Sequence, residues 1–239
     1  RYLKAQRTLI VGTTGGEFTV SADGTDAAIT PSNIVIKKQS SYGTANVDAI
    51  AAGNAVLFLQ KAKRKIRELS YNFDTDGYVA PDLTILNDIV TKSGITEMSY
   101  QQEPDSILWC VRDDGILAGL TYQRSENVVA WHRHKLGGTF GAGASATGYG
   151  VVESAASISG TLTEDEFYVI VKRTINGATK RYVEVFAPFD FHETDATDFK
   201  FLDSHLTYDG SAVTTLSGLA HLEGQTVSIL ADGSTHADK

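Results

Sequence analysis

Short apolar runs broken by turn residues set the pattern of this chain, and four segments repeat one plan of strand, short polar turn and second strand. The first runs from Thr8 to Gly12, turns at Gly15-Gly16 and returns over Phe18 to Val20. The second is Ala55 to Leu59, a basic turn around Lys63-Arg64, then Ile66 to Tyr71. The third is Ser106 to Val111, a turn at Asp113-Asp114-Gly115, then Ile116 to Tyr122. The fourth is Glu166 to Val171, a turn near Asn176-Gly177, then Arg181 to Phe186. Asp114-Gly115 and Asn176-Gly177 are hairpin signals, because these residue types tolerate the positive φ of tight turns. A continuous run such as Leu108 to Val111 predicts a strand buried on both faces. The alternation of Phe18 and Val20 predicts a strand with one wet face.

Further strands are expected over Asn33 to Gln39, Val47 to Ile50 and Asn127 to His134. The units begin roughly 50 residues apart, near the length of a propeller blade repeat, and four strands per unit is a blade's layout. The expected fold is mainly β: β-propeller-like blades of antiparallel strands, one short helix, and a small C-terminal β module, with a generic antiparallel β domain as the plainer alternative to blades. The helix is Pro81 to Gly94, with Pro near its start, Gly after its end, and Leu86, Ile89 and Val90 at helical spacing. Gly137 to Gly150 carries no charge and reads as a flexible loop or linker. After Pro188 the character changes. Phe189 to Lys200 is acidic and polar; apolar stretches follow at Leu206 to Tyr208, Val213 to Leu216 and Thr226 to Leu230, ahead of Asp232-Gly233. The predicted domains are 1–188, a propeller-like β domain, and 189–239, the start of a small β module that continues in a longer parent protein.

At 239 residues and 42% apolar content, the chain can bury a core without metals or disulfides. No apolar run approaches the roughly 20 residues of a membrane helix, and with an opening at Arg1 that lacks a charged and apolar leader pattern, no signal peptide is expected in this stretch, which reads as cut from a longer protein. Cys110 is the single cysteine, which excludes an intrachain disulfide and a cysteine zinc site. Lys and Arg number 21 against 29 Asp and Glu, a net charge of -8. That balance argues against wrapping by DNA or RNA, while allowing an acidic wall past which DNA slides.

Several residue groups invite chemistry. His132 and His134 share one strand face and could chelate a metal, but a third ligand is not indicated; hydrogen-bonded strand histidines are the plainer reading. Asp74-Thr-Asp76-Gly77 resembles the start of a calcium loop but lacks the further ligands in register, so a turn is expected. Glu103, Asp105, Asp113 and Asp114 surround one hairpin, where a glycosidase would need two facing carboxylates and a turn alone would also want Asp. Ser21-Ala-Asp23-Gly24 matches the sialidase-type propeller turn poorly, with Gly one place early and no Trp. Gly141-Ala-Gly143 lacks the Gly-Lys-Ser/Thr of a phosphate loop. Lys61, Lys63, Arg64, Lys65 and Arg67 form the one basic cluster, suited to DNA phosphate or an acidic partner subunit, or simply a solvated turn. Cys110 reads as a small buried hydrophobe. The expectation is therefore no catalytic, cofactor or metal residue.

The stretch from Pro31 to Gly138 carries a resemblance. It includes Pro31 to Ile36, Gln39 to Gly43, Gly53 to Gln60, Arg67 to Tyr71, Asp76 to Thr84 and Trp131 to His134, and it is densest over Gln101 to Gly115. Arg173 to Gly177 and Gly218 to Gly233 extend it. In these residues the chain resembles the large bacteriophage and prophage tail proteins of the nozzle, or DNA-stabilisation, type. The resemblance implies a virion protein built on β-propellers with added β modules, made in the bacterial host cytoplasm. It implies assembly with other tail proteins as a homo-oligomeric ring, often sixfold, below the portal, where packaged DNA is retained, and no enzymatic activity. It implies neither sequence-specific nucleic-acid binding nor a membrane partner. A carbohydrate-active β-propeller hydrolase and a host-surface binding module of the tail are the alternatives.

Overall fold

The computed structural model describes residues 1–24, 27–160, 164–187, 201–231 and 233–236. The chain is mainly β, arranged in five antiparallel sheets. Sheet 1 holds β1 (Tyr2–Ala5), β2 (Leu9–Thr13), β3 (Gly16–Ala22) and β4 (Ile34–Ser40). Sheet 2 holds β5 (Ile50–Ala52), β6 (Ala55–Leu59), β7 (Ile66–Asn72) and β8 (Gly77–Val79). Sheet 3 holds β9 (Ile95–Gln101), β10 (Ile107–Arg112), β11 (Leu117–Gln123) and β12 (Val128–His134). Sheet 4 holds β13 (Val151–Ser159), β14 (Asp165–Ile175) and β15 (Ala178–Val185). A small hairpin of β16 (Ile229–Ala231) and β17 (Ser234–His236) follows. Within each sheet, strand order is chain order, so every sheet is a meander.

The apolar runs decide how the sheets meet. All five residues of β6 are buried. Side chains alternate across a strand, so Val56 and Phe58 pack with Tyr2, Ile10 and Leu69 between sheets 1 and 2. Their neighbours Leu57 and Leu59 pack with Ile66, Ile95, Leu108, Cys110 and Leu120 between sheets 2 and 3. Strand β10 repeats the arrangement: Leu108 and Cys110 turn to sheet 2, whereas Trp109 and Val111 join Leu117, Val152, Phe167, Val169 and Val171 against sheet 4. Sheets 1 to 4 are thus stacked in chain order over three apolar layers, as the continuous runs predict. The Asn176-Gly177 turn between β14 and β15 has φ of +51° and +70°, the conformation its two residues tolerate best.

The helix expected over Pro81 to Gly94 is absent. The segment is a run of tight turns, with Asn87, Val90, Lys92 and Gly94 each donating its N–H to the carbonyl three residues back. The Asp82 carboxylate takes the Thr84 amide and hydroxyl, a local turn that competes with helix. Leu83 and Val90 are buried while Leu86 and Ile89, at 97% and 62% exposure, face water, so the apolar positions never share one stripe. Helix among the described residues consists of short 3₁₀ turns at Arg124–Glu126, Gly143–Ser145 and Ala220–Leu222.

The strand expected from Val47 begins at Ile50 instead. The Gly137 to Gly150 loop connects β12 to β13 and is pinned to β14: Thr174 donates its amide to Thr139, and its hydroxyl accepts the Gly141 amide. Beyond sheet 4, the stretches Leu206 to Tyr208 and Val213 to Leu216 form no strand, and Thr226 to Leu230 contributes only the start of β16. The Phe189 to Lys200 stretch and Asp232 lie outside the described residues.

Candidate functional site

His132 and His134 project from β12 toward sheet 4, because β12 pairs with β11 so that His132 lies opposite Gly119 and His134 opposite Leu117. Gly119 is where the backbone yields space: a Cβ there would overlap the His132 ring. The two imidazoles meet at 2.7 Å, Nδ1 of His132 to Nε2 of His134. His134 Nδ1 reaches Asp203 Oδ1 at 2.5 Å, and Thr121 Oγ1 lies 3.4 Å from His132 Nε2.

A carboxylate only accepts, so His134 donates from Nδ1, and the two imidazoles share one proton between His132 Nδ1 and His134 Nε2. The result is one hydrogen-bonded chain through Thr121, His132, His134 and Asp203. Burial, reinforced by His134 and opposed by Asp203, pushes the His132 pKa from 6.5 down to about 4. Trp109 stacks on Phe167 at 4.5 Å and presents itself to both histidines, while Phe186 closes over Trp109 and His134.

His132 Nδ1 and His134 Nε2 are turned on each other, and among the described residues no group of three His, Cys, Asp or Glu is placed to hold a metal ion. The chain does tie the segment carrying Asp203 onto sheet 3. Ser204 accepting the Gly137 amide and Glu223 accepting the Asn176 amide fasten the same segment further on. Sequence reasoning finds the two histidines by their spacing. It misses Asp203, whose placement is purely tertiary, and Gly119, whose only signal is a glycine inside an apolar strand.

The other candidates separate. Glu103 and Asp105 lie before β10, and Asp113 and Asp114 after it, so six strand residues, about 20 Å, stand between the pairs; facing glycosidase carboxylates sit within about 10 Å. Asp114 is clamped by Arg112, Nε to Oδ1 at 3.0 Å. Asp76 accepts from the Tyr71 hydroxyl at 2.6 Å in the β7–β8 turn, and among the described residues it joins no group of three His, Cys, Asp or Glu that could hold a metal ion. Asp23 follows the end of β3 and is exposed. Cys110 is fully buried, and burial pushes its thiol pKa up, as befits an inert core group.

The basic cluster divides. Lys65 pairs with Asp82 at 2.7 Å, while the Arg67 guanidinium lies 3.4 Å over the Tyr42 ring and binds Gln60 and the Ala80 carbonyl. Arg67 and Tyr42, with Ser40, Tyr78 and Pro81, line an open cleft of about 800 Å³ where sheets 1 and 2 meet. Lys61, Lys63 and Arg64 project freely from the β6–β7 turn.

The two ends of the stack differ from its interior. On sheet 1, Leu3, Ile34 and Ile36 are 64%, 45% and 61% exposed on the face turned away from sheet 2. On sheet 4, Ile158, Val183 and Val185 are similarly bare on the face turned away from sheet 3. No protein-family model matches the chain, and no curated protein does.

Proposed function

We propose that this chain is a structural component of a bacteriophage tail, of the nozzle or DNA-stabilisation type, acting by assembly around the DNA channel and not by catalysis. The observation that carries the proposal is the stack itself. Consecutive antiparallel meanders, three of four strands and the last of three, packed face to face with exposed apolar side chains on the outer face at each end, fit propeller-like blades awaiting neighbours. Contiguous exposed apolar patches mark interaction surfaces. In the particle, other tail proteins or further copies in a homo-oligomeric ring cover these faces. The resemblance over Gln101 to Gly115 supplies the kind of particle.

The absence of a facing pair among Glu103, Asp105, Asp113 and Asp114 weighs against the glycan hydrolase alternative. The cleft holding Tyr42 and Arg67 keeps a host-surface binding module as a second reading, testable by binding to host glycans without turnover. The primary test is immunogold electron microscopy of purified virions or induced prophage particles with an antibody to this chain. Label at the tail or head–tail junction is expected; free protein in the lysate with unlabelled particles overturns the proposal.

A further inference from the structure

The turns of the stacked sheets gather at two opposite ends, and the charges are sorted between them. One end collects the β2–β3, β6–β7 and β10–β11 turns. Backbone bonds join them in series: Thr44 to Thr13, Lys61 to Gly43, Ile95 to Lys63 and Asp113 to Gly94. Lys61, Lys63, Arg64 and Lys92 are exposed there, and none of them forms an ion pair among the described residues. Of the carboxylates at this end, Asp82 is held by Lys65 and Asp114 by Arg112, while Asp88, Asp113 and Glu223, which accepts the Asn176 amide of the β14–β15 turn, are exposed.

The opposite end collects the β7–β8, β9–β10 and β11–β12 turns and the start of β14, whose Asp165 amide donates to Glu103. Exposed there are Asp74, Asp76, Glu103, Asp105 and Glu126, with Asp23 beyond the end of β3. Its cations are Arg7, over the Tyr71 ring, and Arg124, paired with Glu68.

From this we infer that the two ends are complementary docking surfaces, and that the basic turn end of one copy seats on the acidic turn end of a second copy. The sorting favours a second copy over a polyanion. A nucleic acid would account for the basic end alone, and a chain of net charge -8 repels it at long range. The two surfaces differ, so the contact is head-to-tail and, unless a rotation closes it, builds an open row. The association runs along the strand direction and is distinct from contacts through the open sheet faces of sheets 1 and 4. It adds an axial contact to the proposed tail role and does not depend on that role.

The experiment uses the purified full chain and sedimentation velocity. Wild type is expected to associate with rising concentration at low ionic strength, where charges act over about 30 Å, and to lose at least about tenfold in association constant at 1 M salt, where they act over about 3 Å. The triple variant K61Q/K63Q/R64Q and the triple variant D74N/D105N/E126Q, which neutralise exposed positions without reversing them, are each expected to stay monomeric. Their equimolar mixture is expected to form a 1:1 complex through the remaining intact pair of ends, sealed at both outer sides. Circular dichroism of each variant confirms that the β fold is kept. A wild type that stays monomeric at low salt overturns the inference, as does a mixture that forms no complex. So does a basic-end variant that associates as well as wild type, which would move the contact to the sheet faces. Retention of wild type on heparin or duplex DNA without self-association would assign the basic end to a polyanion. None of these outcomes bears on whether particles are labelled by the antibody.

Discussion

Gly119→Ala tests how the histidine chain is seated in the fold. A methyl at this position would overlap the His132 ring, which lies directly across from it on β12. The β11 backbone is buried and paired on both sides, so the ring must give way. Overpacking of this kind costs about 1–3 kcal/mol. Swinging the ring also breaks the 2.7 Å bond to His134, a further loss of about 0.5–1.5 kcal/mol, so the variant is expected to lose about 2–4 kcal/mol. Removing the ring first removes the reason for the cost. In a His132→Ala background the same glycine substitution is expected to be neutral or stabilising by up to about 1 kcal/mol, since alanine restricts the unfolded chain more than glycine does. Urea unfolding read by tryptophan fluorescence measures both changes, with Trp109 edge-on to His132 at 5.5 Å as a reporter of the site. Additivity of the two substitutions within about 0.5 kcal/mol would refute the reasoning.

Three further outcomes are expected. His132 has its folded pKa held down near 4 against an ordinary 6.5, so the unfolded chain takes up the proton first as pH falls. Its contribution is therefore complete above pH 6.5 and lost between pH 6.5 and 4. The full shift is worth about 3 kcal/mol, reduced to about 1–2 by solvent screening of a ring that is partly open; a wild-type slope across this window that persists unchanged in His132→Asn would exclude it. Phe58→Ala empties the layer between sheets 1 and 2 and is expected to cost about 3–5 kcal/mol by chemical denaturation, with a loss under 1 showing the layer to be loose. Leu86→Ser, at a position helical spacing would have buried, is expected to change stability by less than about 0.5 kcal/mol; a large loss would restore the helix.

The strands were legible because their signals are local. The unbroken run Ala55 to Leu59 can only be satisfied by apolar neighbours on both sides, and the structure provides them. The Asn176-Gly177 turn announces itself through the φ values its residues allow. The segment from Pro81 misleads because Leu86, Ile89 and Val90 satisfy helical spacing, whereas Asp82 binding Thr84 starts a turn and Leu83 is recruited to the sheet 2–sheet 3 layer. The histidine pair is readable from a spacing of two on a strand. Its partner is not, since Asp203 arrives from 69 residues away. The sorting of charge between the two ends is equally hidden in the linear order, because the basic β6–β7 turn lies between Asp23 and Asp74 in the chain and separates from them only when the meanders are stacked.

Stacking in chain order also shapes how the protein comes apart. Every ladder in sheets 1 to 4 joins strands adjacent in sequence, so contact order is low for an all-β protein and loop closure is inexpensive at each step. Cohesion passes from each sheet to the next, as in a repeat array where stability is a sum of units and nearest-neighbour couplings. Sheets 2 and 3 are coupled on both sides, and sheets 1 and 4 on one. Amide protection should therefore peak in β6 and β10 and decline outward, with the terminal sheets opening in partial excursions that leave the centre intact.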